Sequence, residues 1–386
     1  MSTKSSRIWQ IVHVEDNHDT LQQVKDYLEG ETFGFGSLIV KGTAEFLEAT
    51  RLLHERKVDL LVLDVFRGDP FSGDSAGTGI LEEWRATGFA PVILYTALPE
   101  VVGECASPFV YVVAKEAGGL QRLRDAIEQL FALRIPQIHR AAVDHLDTAL
   151  GKYMWGFVES HWDQIRDLTE QPDFIRLLFR RLGLQFTQGI APLIRSIYPD
   201  TDVADPEPDK VHPVEFYVRP PIGDDPRLGD LRRVAIAGGA DSLAVIVWPS
   251  CDLVYRDGRC KVDRALCARV KPVTEFEEYE RWVQNPTNKA RDSLLSLMKN
   301  NRGKGQAERY HFLPGAWDIP SAVVDFGELD HVSVEALKEA PCIATVASPF
   351  AESMAARLVR YIGRLGAPDL DIEIALGSLK SGVDSE

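Results

Sequence analysis

The first third of the chain alternates short apolar runs with segments of mixed polarity. The apolar runs occupy residues 11–14, 37–41, 58–66, 92–96 and 111–114. Continuous apolar runs of this length are typical of parallel strands that are covered by helices on both faces of a sheet. The pattern therefore predicts a doubly wound α/β domain in which 58–66 contributes a central, buried strand.

Between these runs, apolar side chains recur at helical spacing. The predicted helices are 19–29, 43–56, 79–86 and 120–133. In the second of them we expect Leu47 to face inward. Prolines interrupt the stretch between Thr96 and Lys115, so the crossover there should be short or irregular.

The rest of the chain changes character twice. Residues 138–168 and 172–198 carry apolar side chains near helical spacing, whereas 199–227 is rich in proline and acid and disfavours a packed core. After Gly229 the pattern favours short strands. The predicted organisation is an α/β domain at 1–134, a helical connector at 135–199, a linker at 200–228 and a β-rich, barrel-like α+β domain at 229–386.

Polar side chains stand where the apolar strands end. Glu15 and Asp16 follow the first strand, Asp64 follows the central one, and Thr96 and Lys115 end the next two. Because the carboxyl ends of parallel strands share one edge of a sheet, these side chains should converge in an open α/β fold. Three carboxylates form an oxygen-rich site of the kind that hard cations prefer.

This set of residues, in this order, resembles the receiver domain of two-component response regulators, which has a flavodoxin-like fold. The resemblance implies that Asp64 is a phosphoacceptor and that Glu15, Asp16 and Asp64 hold Mg²⁺. It also implies that Thr96 contacts the phosphoryl group and that Lys115 pairs with it. The partner would be a sensor histidine kinase or another phosphodonor, and phosphorylation would change the receiver surface that faces the connector.

The resemblance covers residues 7–133 and departs from the family pattern behind the phosphoacceptor. The loop 67–78 is about twice the usual length, so that either Asp69 or Asp74 approaches the metal or the loop blocks the site. Glu116 stands where the family usually has proline. The acceptor site looks intact, whereas the switch that follows it differs.

The last domain opens with Gly229-Asp-Leu and an apolar strand at 243–248, which is similar to the SH3-like barrel of PemK/MazF-type proteins. That family often cuts RNA, but no catalytic residue can be matched here. The whole arrangement also looks like receiver-containing proteins predicted for bacterial stress or antiphage defence. Two alternatives stay open: a phosphorylation-gated ribonuclease, and a scaffold that works without phosphorylation.

The composition and charge of the chain limit the kinds of partner that it is expected to bind. A net charge of −15 and the lack of a helix-turn-helix pattern argue against general DNA binding. No export signal or membrane-length apolar run occurs, and five cysteines without C-x-x-C pairs are typical of a reduced, cytoplasmic protein. Cys251, Cys260 and Cys267 match no zinc spacing. The helical connector either transmits a change in the receiver or forms a homodimer interface, with the receiver as a second possible interface.

Overall fold

The structure is a computed structural model, and it describes residues 7–53, 57–68, 75–169, 172–186, 190–198, 210–236, 241–256, 259–302, 307–364, 371–374 and 376. The chain divides into two compact units, Met1–Asp205 and Pro206–Glu386. In the described ranges, no helix has the length and apolar character needed to cross a membrane.

The first unit is built on a parallel sheet of five strands: β1 (Ile8–Val14), β2 (Ser37–Thr43), β3 (Leu60–Leu63), β4 (Val92–Thr96) and β5 (Val110–Ala114). Their order across the sheet is β2-β1-β3-β4-β5. The helices of this part are α1 (His18–Gly30), α2 (Phe46–Leu53), α3 (Ala76–Thr87) and α4 (Gly119–Ala132). This order is that of a flavodoxin-like doubly wound sheet, so the predicted α/β fold is confirmed.

Side chains on both faces of β3 explain why this strand is central. Leu61 and Leu63 join an apolar cluster with α2 and α3, whereas Leu60 and Val62 join a second cluster with α1 and α4. All four are fully buried, and each side chain of this kind contributes roughly 1.5–3 kcal/mol. The strand therefore holds its carboxyl end, and Asp64 directly after it, in a fixed place.

Two predicted helices begin elsewhere. Helix α2 starts at Phe46, because Thr43 still pairs with β1 as the last residue of β2. Its buried stripe consequently contains Phe46 and Ala49, and the prediction that Leu47 faces inward is wrong, since that side chain is 88% exposed. Helix α3 starts at Ala76, three residues before the predicted start. The irregular crossover is confirmed as a 3₁₀ segment, Pro99–Cys105.

The helical connector belongs to the first unit. Its helices are α5 (Ile135–Tyr153), α6 (Trp162–Thr169), α7 (Pro172–Phe186) and α8 (Ile190–Ile197), with a π-helical turn at Met154–Val158 and a 3₁₀ turn at Glu159–His161 after α5. Several large apolar side chains of the connector are exposed, including Trp155 at 72% and Phe179 at 69%. The connector thus buries only part of its apolar surface within this unit.

One arginine of α5 fastens the connector to the sheet. Arg140 forms an ion pair with buried Asp59, donates a hydrogen bond to the Ile8 carbonyl at 2.7 Å and lies 4.7 Å from the Trp9 ring centroid. Asp59 also accepts a hydrogen bond from the Gln10 N–H at 2.7 Å. These partners lie at the amino ends of β1 and β3. The connector is therefore held at the edge of the sheet opposite the strand ends that carry the predicted site.

The second unit contains a seven-stranded sheet. Its strands are β6 (Tyr217–Val218), β7 (Asp230–Ala235), β8 (Asp241–Ile246), β9 (Arg264–Pro272), β10 (Tyr310–Leu313), β11 (Ala322–Ser333) and β12 (Cys342–Val346). Their order is β10-β11-β9-β8-β7-β12-β6, and all neighbouring strands in this order are antiparallel. The helices are α9 (Ser250–Leu253), α10 (Glu277–Gln284), α11 (Asn288–Met298), α12 (Val334–Glu339) and α13 (Phe350–Ile362).

A β-rich α+β domain is thus what the second unit forms. Among the described residues β10 and β6 are the two edge strands, and no pairing between them closes the sheet into a barrel. The predicted linker at 200–228 is partly structured, because 213–216 forms a 3₁₀ turn and Tyr217–Val218 pairs with β12. Such a short edge strand leaves no periodic pattern in the sequence.

The Gly-Asp-Leu opening of the second unit has a structural role. Asp230 and Arg232 are 1% and 2% exposed, and the Arg232 Nη2–Asp230 Oδ2 distance is 2.8 Å. The Thr345 hydroxyl donates to Asp230 at 2.6 Å, and Arg232 also donates to the carbonyls of Leu337 and Ala340. A buried ion pair needs such additional hydrogen bonds to be tolerated. Arg232 is consequently not available to contact RNA from solvent.

Candidate acidic site at the carboxyl edge of the parallel sheet

Backbone pairing brings the predicted side chains to one edge. The Asp64 N–H donates to the Val14 carbonyl at 2.8 Å, directly before the acid pair. The Lys115 N–H donates to the Thr96 carbonyl at 2.7 Å. The ladders of β1, β3, β4 and β5 therefore continue one residue beyond the strands and fix where the polar side chains leave the backbone.

Three carboxylates meet at this edge. Glu15, Asp16 and Asp64 each offer an oxygen, and these atoms all lie within 4.8 Å of one another. Glu15 is 1% exposed and Asp64 6%, while Asp16 is half-buried. In the described part of the chain, no other group of three or more His, Cys, Asp or Glu side chains comes this close. The three cysteines considered for zinc, among them the buried Cys267, do not form such a group.

Lys115 joins two of the acids. Its Nζ lies 2.6 Å from Glu15 Oε2 and 2.7 Å from Asp64 Oδ2, and the side chain is 17% exposed. Nζ also lies 5.7 Å from the Tyr95 ring centroid, at the outer limit of a cation–π contact. One ammonium against three carboxylates leaves two negative charges uncompensated when all three acids are ionised.

Burial controls the protonation of the innermost groups. It raises the pKa of Glu15 to about 7, although Lys115 and the Asn17 N–H act in the opposite direction. Burial, with a smaller contribution from Lys115, lowers the pKa of His13 to about 3. His13 Nε2 lies 3.8 Å from Glu15 Oε2, but a neutral imidazole supplies no counter-charge. Lys115 is therefore the cation that balances Glu15.

A glycine allows α3 to start against the phosphoacceptor candidate. The Gly77 N–H donates to the Val65 carbonyl at 3.0 Å, and a Cβ at Gly77 would stand 2.1 Å from the Asp64 carbonyl oxygen. No side chain fits at that distance. The close approach sets the backbone position of Asp64, while the Phe66 N–H lies 3.5 Å from its Oδ1.

The loop after Asp64 also reaches the acid pair. The Gly68 N–H donates to Asp16 Oδ2 at 2.5 Å. Asp69 and Asp74, which the sequence suggested as possible metal neighbours, lie outside the described residues. Asn17 caps α1 by accepting from the Asp19 and Thr20 N–H groups at 3.0 Å. The asparagine before a helical segment is a signal that could have predicted this cap.

Thr96 lies at the same edge but is turned toward its own loop. It is fully buried, and its hydroxyl oxygen accepts a hydrogen bond from the Leu98 N–H at 3.3 Å. The structure therefore brings Glu15, Asp16, Asp64 and Lys115 into one cluster. Thr96 adjoins that cluster through the backbone of Lys115.

Comparisons with known proteins find related folds only. No protein-family model and no curated protein matches the chain. Among solved structures, the chain is similar to the response regulator TrrA of Thermotoga maritima in complex with Mg²⁺-BeF, at 21% identity, with 32% of this chain and 98% of that one covered and a TM-score of 0.26. It is also similar to a receiver domain of Methylobacillus flagellatus, at 18% identity, with 32% of this chain and 100% of that one covered and a TM-score of 0.26. A receiver domain of Methanospirillum hungatei is similar at 21% identity, with 33% of this chain and 96% of that one covered and a TM-score of 0.27.

These matches cover about a third of this chain, at identities below 25% and TM-scores well below 0.5. We therefore argue function from the geometry of the acidic cluster. None of the three matches extends to the β-rich unit as a whole, and no comparison supports its resemblance to PemK/MazF-type proteins.

Proposed function

We propose that the first unit is a receiver of the two-component type, in which Asp64 accepts a phosphoryl group. The observation that carries the proposal is the bridge from Lys115 to both Asp64 and Glu15, beside Asp16, at the carboxyl edge of a doubly wound sheet. Phosphoryl transfer needs positive charge near the transferring oxygens more than covalent help from the protein. The ammonium of Lys115, beside the nucleophilic carboxylate of Asp64, supplies one part of that positive charge.

A divalent cation fits the remainder of the site. Glu15, Asp16 and Asp64 would hold it, since carboxylate oxygens are the ligands that Mg²⁺ prefers and, with all three acids ionised, Lys115 balances only one of their charges. When bound, the cation would neutralise charge on the phosphoryl oxygens. Burial keeps water from weakening these interactions, because Glu15 and Asp64 are almost fully enclosed.

The transfer itself uses the side chains of this chain. A carboxylate oxygen of Asp64 forms a bond to phosphorus while the bond from phosphorus to the donor's leaving group breaks, and the leaving group departs with that electron pair. The Lys115 Nζ already lies 2.7 Å from the accepting carboxylate of Asp64. After the transfer, Lys115 would need to shift only from that carboxylate to the phosphoryl oxygens bound to it. The Thr96 hydroxyl would donate a hydrogen bond to the new phosphoryl oxygens after it gives up the hydrogen bond that it accepts from the Leu98 N–H.

The signal would have to cross the sheet. The contacts of Arg140 with the amino ends of β1 and β3 hold the connector at the edge opposite Asp64. A conformational change limited to the surface beside Thr96 would therefore not alter the contacts of Arg140 directly. Strand β3 offers a route, since Asp59 precedes it at one edge and Asp64 follows it at the other. The donor would be a sensor histidine kinase or a small phosphodonor.

Incubation with acetyl phosphate and Mg²⁺, followed by intact mass spectrometry, tests the proposal. Wild type should gain one phosphoryl group, and Asp64→Asn should gain none. Glu116→Gln is the matched control, because this neighbouring acid is 69% exposed in its side chain and lies outside the cluster. Equal labelling of wild type and Asp64→Asn would refute the assignment. No labelling of wild type under conditions where Mg²⁺ binds would favour the scaffold alternative.

A further inference from the structure

The second unit has an apolar cleft between α10, α11 and one end of the sheet. Its volume is about 300 Å³, the lower end of the range for small-molecule sites. Val273 and Phe312 form its floor and are both buried.

Helix α11 lines the cleft with one continuous stripe. Arg291, Leu294, Leu295 and Met298 are spaced as one helical face and all four line the cleft. Leu297, on the adjacent face, is 1% exposed and packs into the core, whereas Met298 is 40% exposed. Leu294 also packs against this core cluster, so the face of α11 that lines the cleft is anchored at Leu294 and exposed at Met298.

Three hydrogen-bond donors lie around this apolar surface, and two of them, on Arg291 and Trp282, belong to exposed side chains. In the described part of the chain, the Arg291 guanidinium, the Tyr279 hydroxyl and the Trp282 indole N–H form no hydrogen bond or ion pair, and all three side chains line the cleft. Arg281 of α10, by contrast, pairs with Glu277. No carboxylate is found among the residues that line the cleft. Apart from the Ser321 hydroxyl, which accepts a hydrogen bond from the Gly315 N–H at 3.0 Å, the polar groups of the cleft can all donate, and Arg291 adds a positive charge that is complementary to an anion.

We propose that this cleft binds a small carboxylate with an apolar body. The carboxylate contacts Arg291, while Leu294, Leu295 and Met298 cover the apolar part. A guanidinium matches a carboxylate with two parallel hydrogen bonds, which favours this anion over a neutral polar group. The proposal does not depend on the phosphoacceptor, because every residue that it uses belongs to the second unit.

Isothermal titration calorimetry of the full chain with octanoate tests the proposal, with octanamide as the neutral counterpart. Wild type should bind octanoate at one site and octanamide about tenfold more weakly, since the carboxylate offers the Arg291 guanidinium a negative charge and two parallel hydrogen bonds, whereas the amide offers one neutral oxygen. Arg291→Gln should weaken octanoate binding by about tenfold and leave octanamide binding unchanged. Arg281→Gln, on the neighbouring helix, should change neither.

Two further results decide the question. Leu295→Trp, which fills the cleft, should abolish binding of both compounds while the thermal unfolding midpoint stays within a few degrees of wild type. Undetectable octanoate binding by the folded wild type would overturn the proposal. Equal affinity for octanoate in wild type and Leu295→Trp would place the site elsewhere, and equal affinity for octanoate and octanamide would refute the role of the charge.

Discussion

Removing the largely buried Arg140 should loosen the connector from the parallel sheet more than removing an exposed charge of the connector. Arg140→Ala leaves the Asp59 carboxylate buried at 2% exposure with only the Gln10 N–H as a partner. Breaking a buried ion pair costs about 3–5 kcal/mol. Because the Arg140 side chain is itself 18% exposed and admits some water, we expect a loss of about 2–4 kcal/mol.

The loss should depend on pH in a defined direction. Burial raises the pKa of Asp59 to about 6, while the Gln10 N–H and Arg140 act to lower it. A folded-state pKa above the unfolded value means that the associated stability is present at low pH and is lost as the pH rises through about 6. Without Arg140 that loss grows, so the difference between wild type and Arg140→Ala should be largest above pH 7 and should shrink below pH 6.

Urea unfolding, combined with hydrogen exchange of peptides from α5 and β1, measures this effect. The matched control is Arg176→Ala, because Arg176 pairs with Asp173 at 3.0 Å on the exposed surface of the connector, where such pairs contribute about 0–1 kcal/mol. Adding Asp59→Asn to Arg140→Ala should recover part of the stability, since the uncompensated charge is gone. Equal losses for Arg140→Ala and Arg176→Ala, or no recovery in the double variant, would refute the reasoning.

Three other changes test neighbouring parts of the account. Asp16→Asn should weaken Mg²⁺ binding by at least about tenfold in a calorimetric titration, whereas Asp19→Asn, on the exposed first turn of α1, should leave it unchanged. Gly77→Ala should slow labelling by acetyl phosphate about a hundredfold, because the new Cβ displaces the backbone of Asp64, while Gly79→Ala, which has open space around its Cβ, should label normally. Trp155→Asp, at a side chain that is 72% exposed on the connector, should reduce self-association in light scattering if the connector is a homodimer interface; unchanged association would exclude this residue from it.

The sequence predicted those features that depend on local pattern. The run 58–66 indicated a strand buried on both faces, and β3 has four fully buried side chains with Asp64 directly after them. The convergence of Glu15, Asp16, Asp64 and Lys115 followed from a general property of parallel sheets, in which the carboxyl ends of the strands share one edge. Both predictions needed only strand type and strand direction.

Features that depend on distant partners were not predictable in this way. In the sequence, Asp59 is an acid near the start of the apolar run 58–66. Its partner Arg140 lies 81 positions away on a helix, so no local pattern indicates the pair. The burial of Arg232 could not be read from the Gly-Asp-Leu opening that it follows, because its acceptors include a carbonyl more than 100 residues further along the chain. Leu47 was misplaced because β2 extends through Thr43 and delays the start of α2.

The position of the phosphoryl group, which we propose to be Asp64, can be measured directly. Reduction of the acetyl-phosphate-treated chain with borohydride converts an aspartyl phosphate to homoserine, and peptide mass spectrometry then locates that residue. We predict homoserine at position 64, in the peptide that contains β3, and at no other aspartate. Homoserine at Asp16 or at another acid, or its absence from a chain that has gained a phosphoryl mass, would contradict the account.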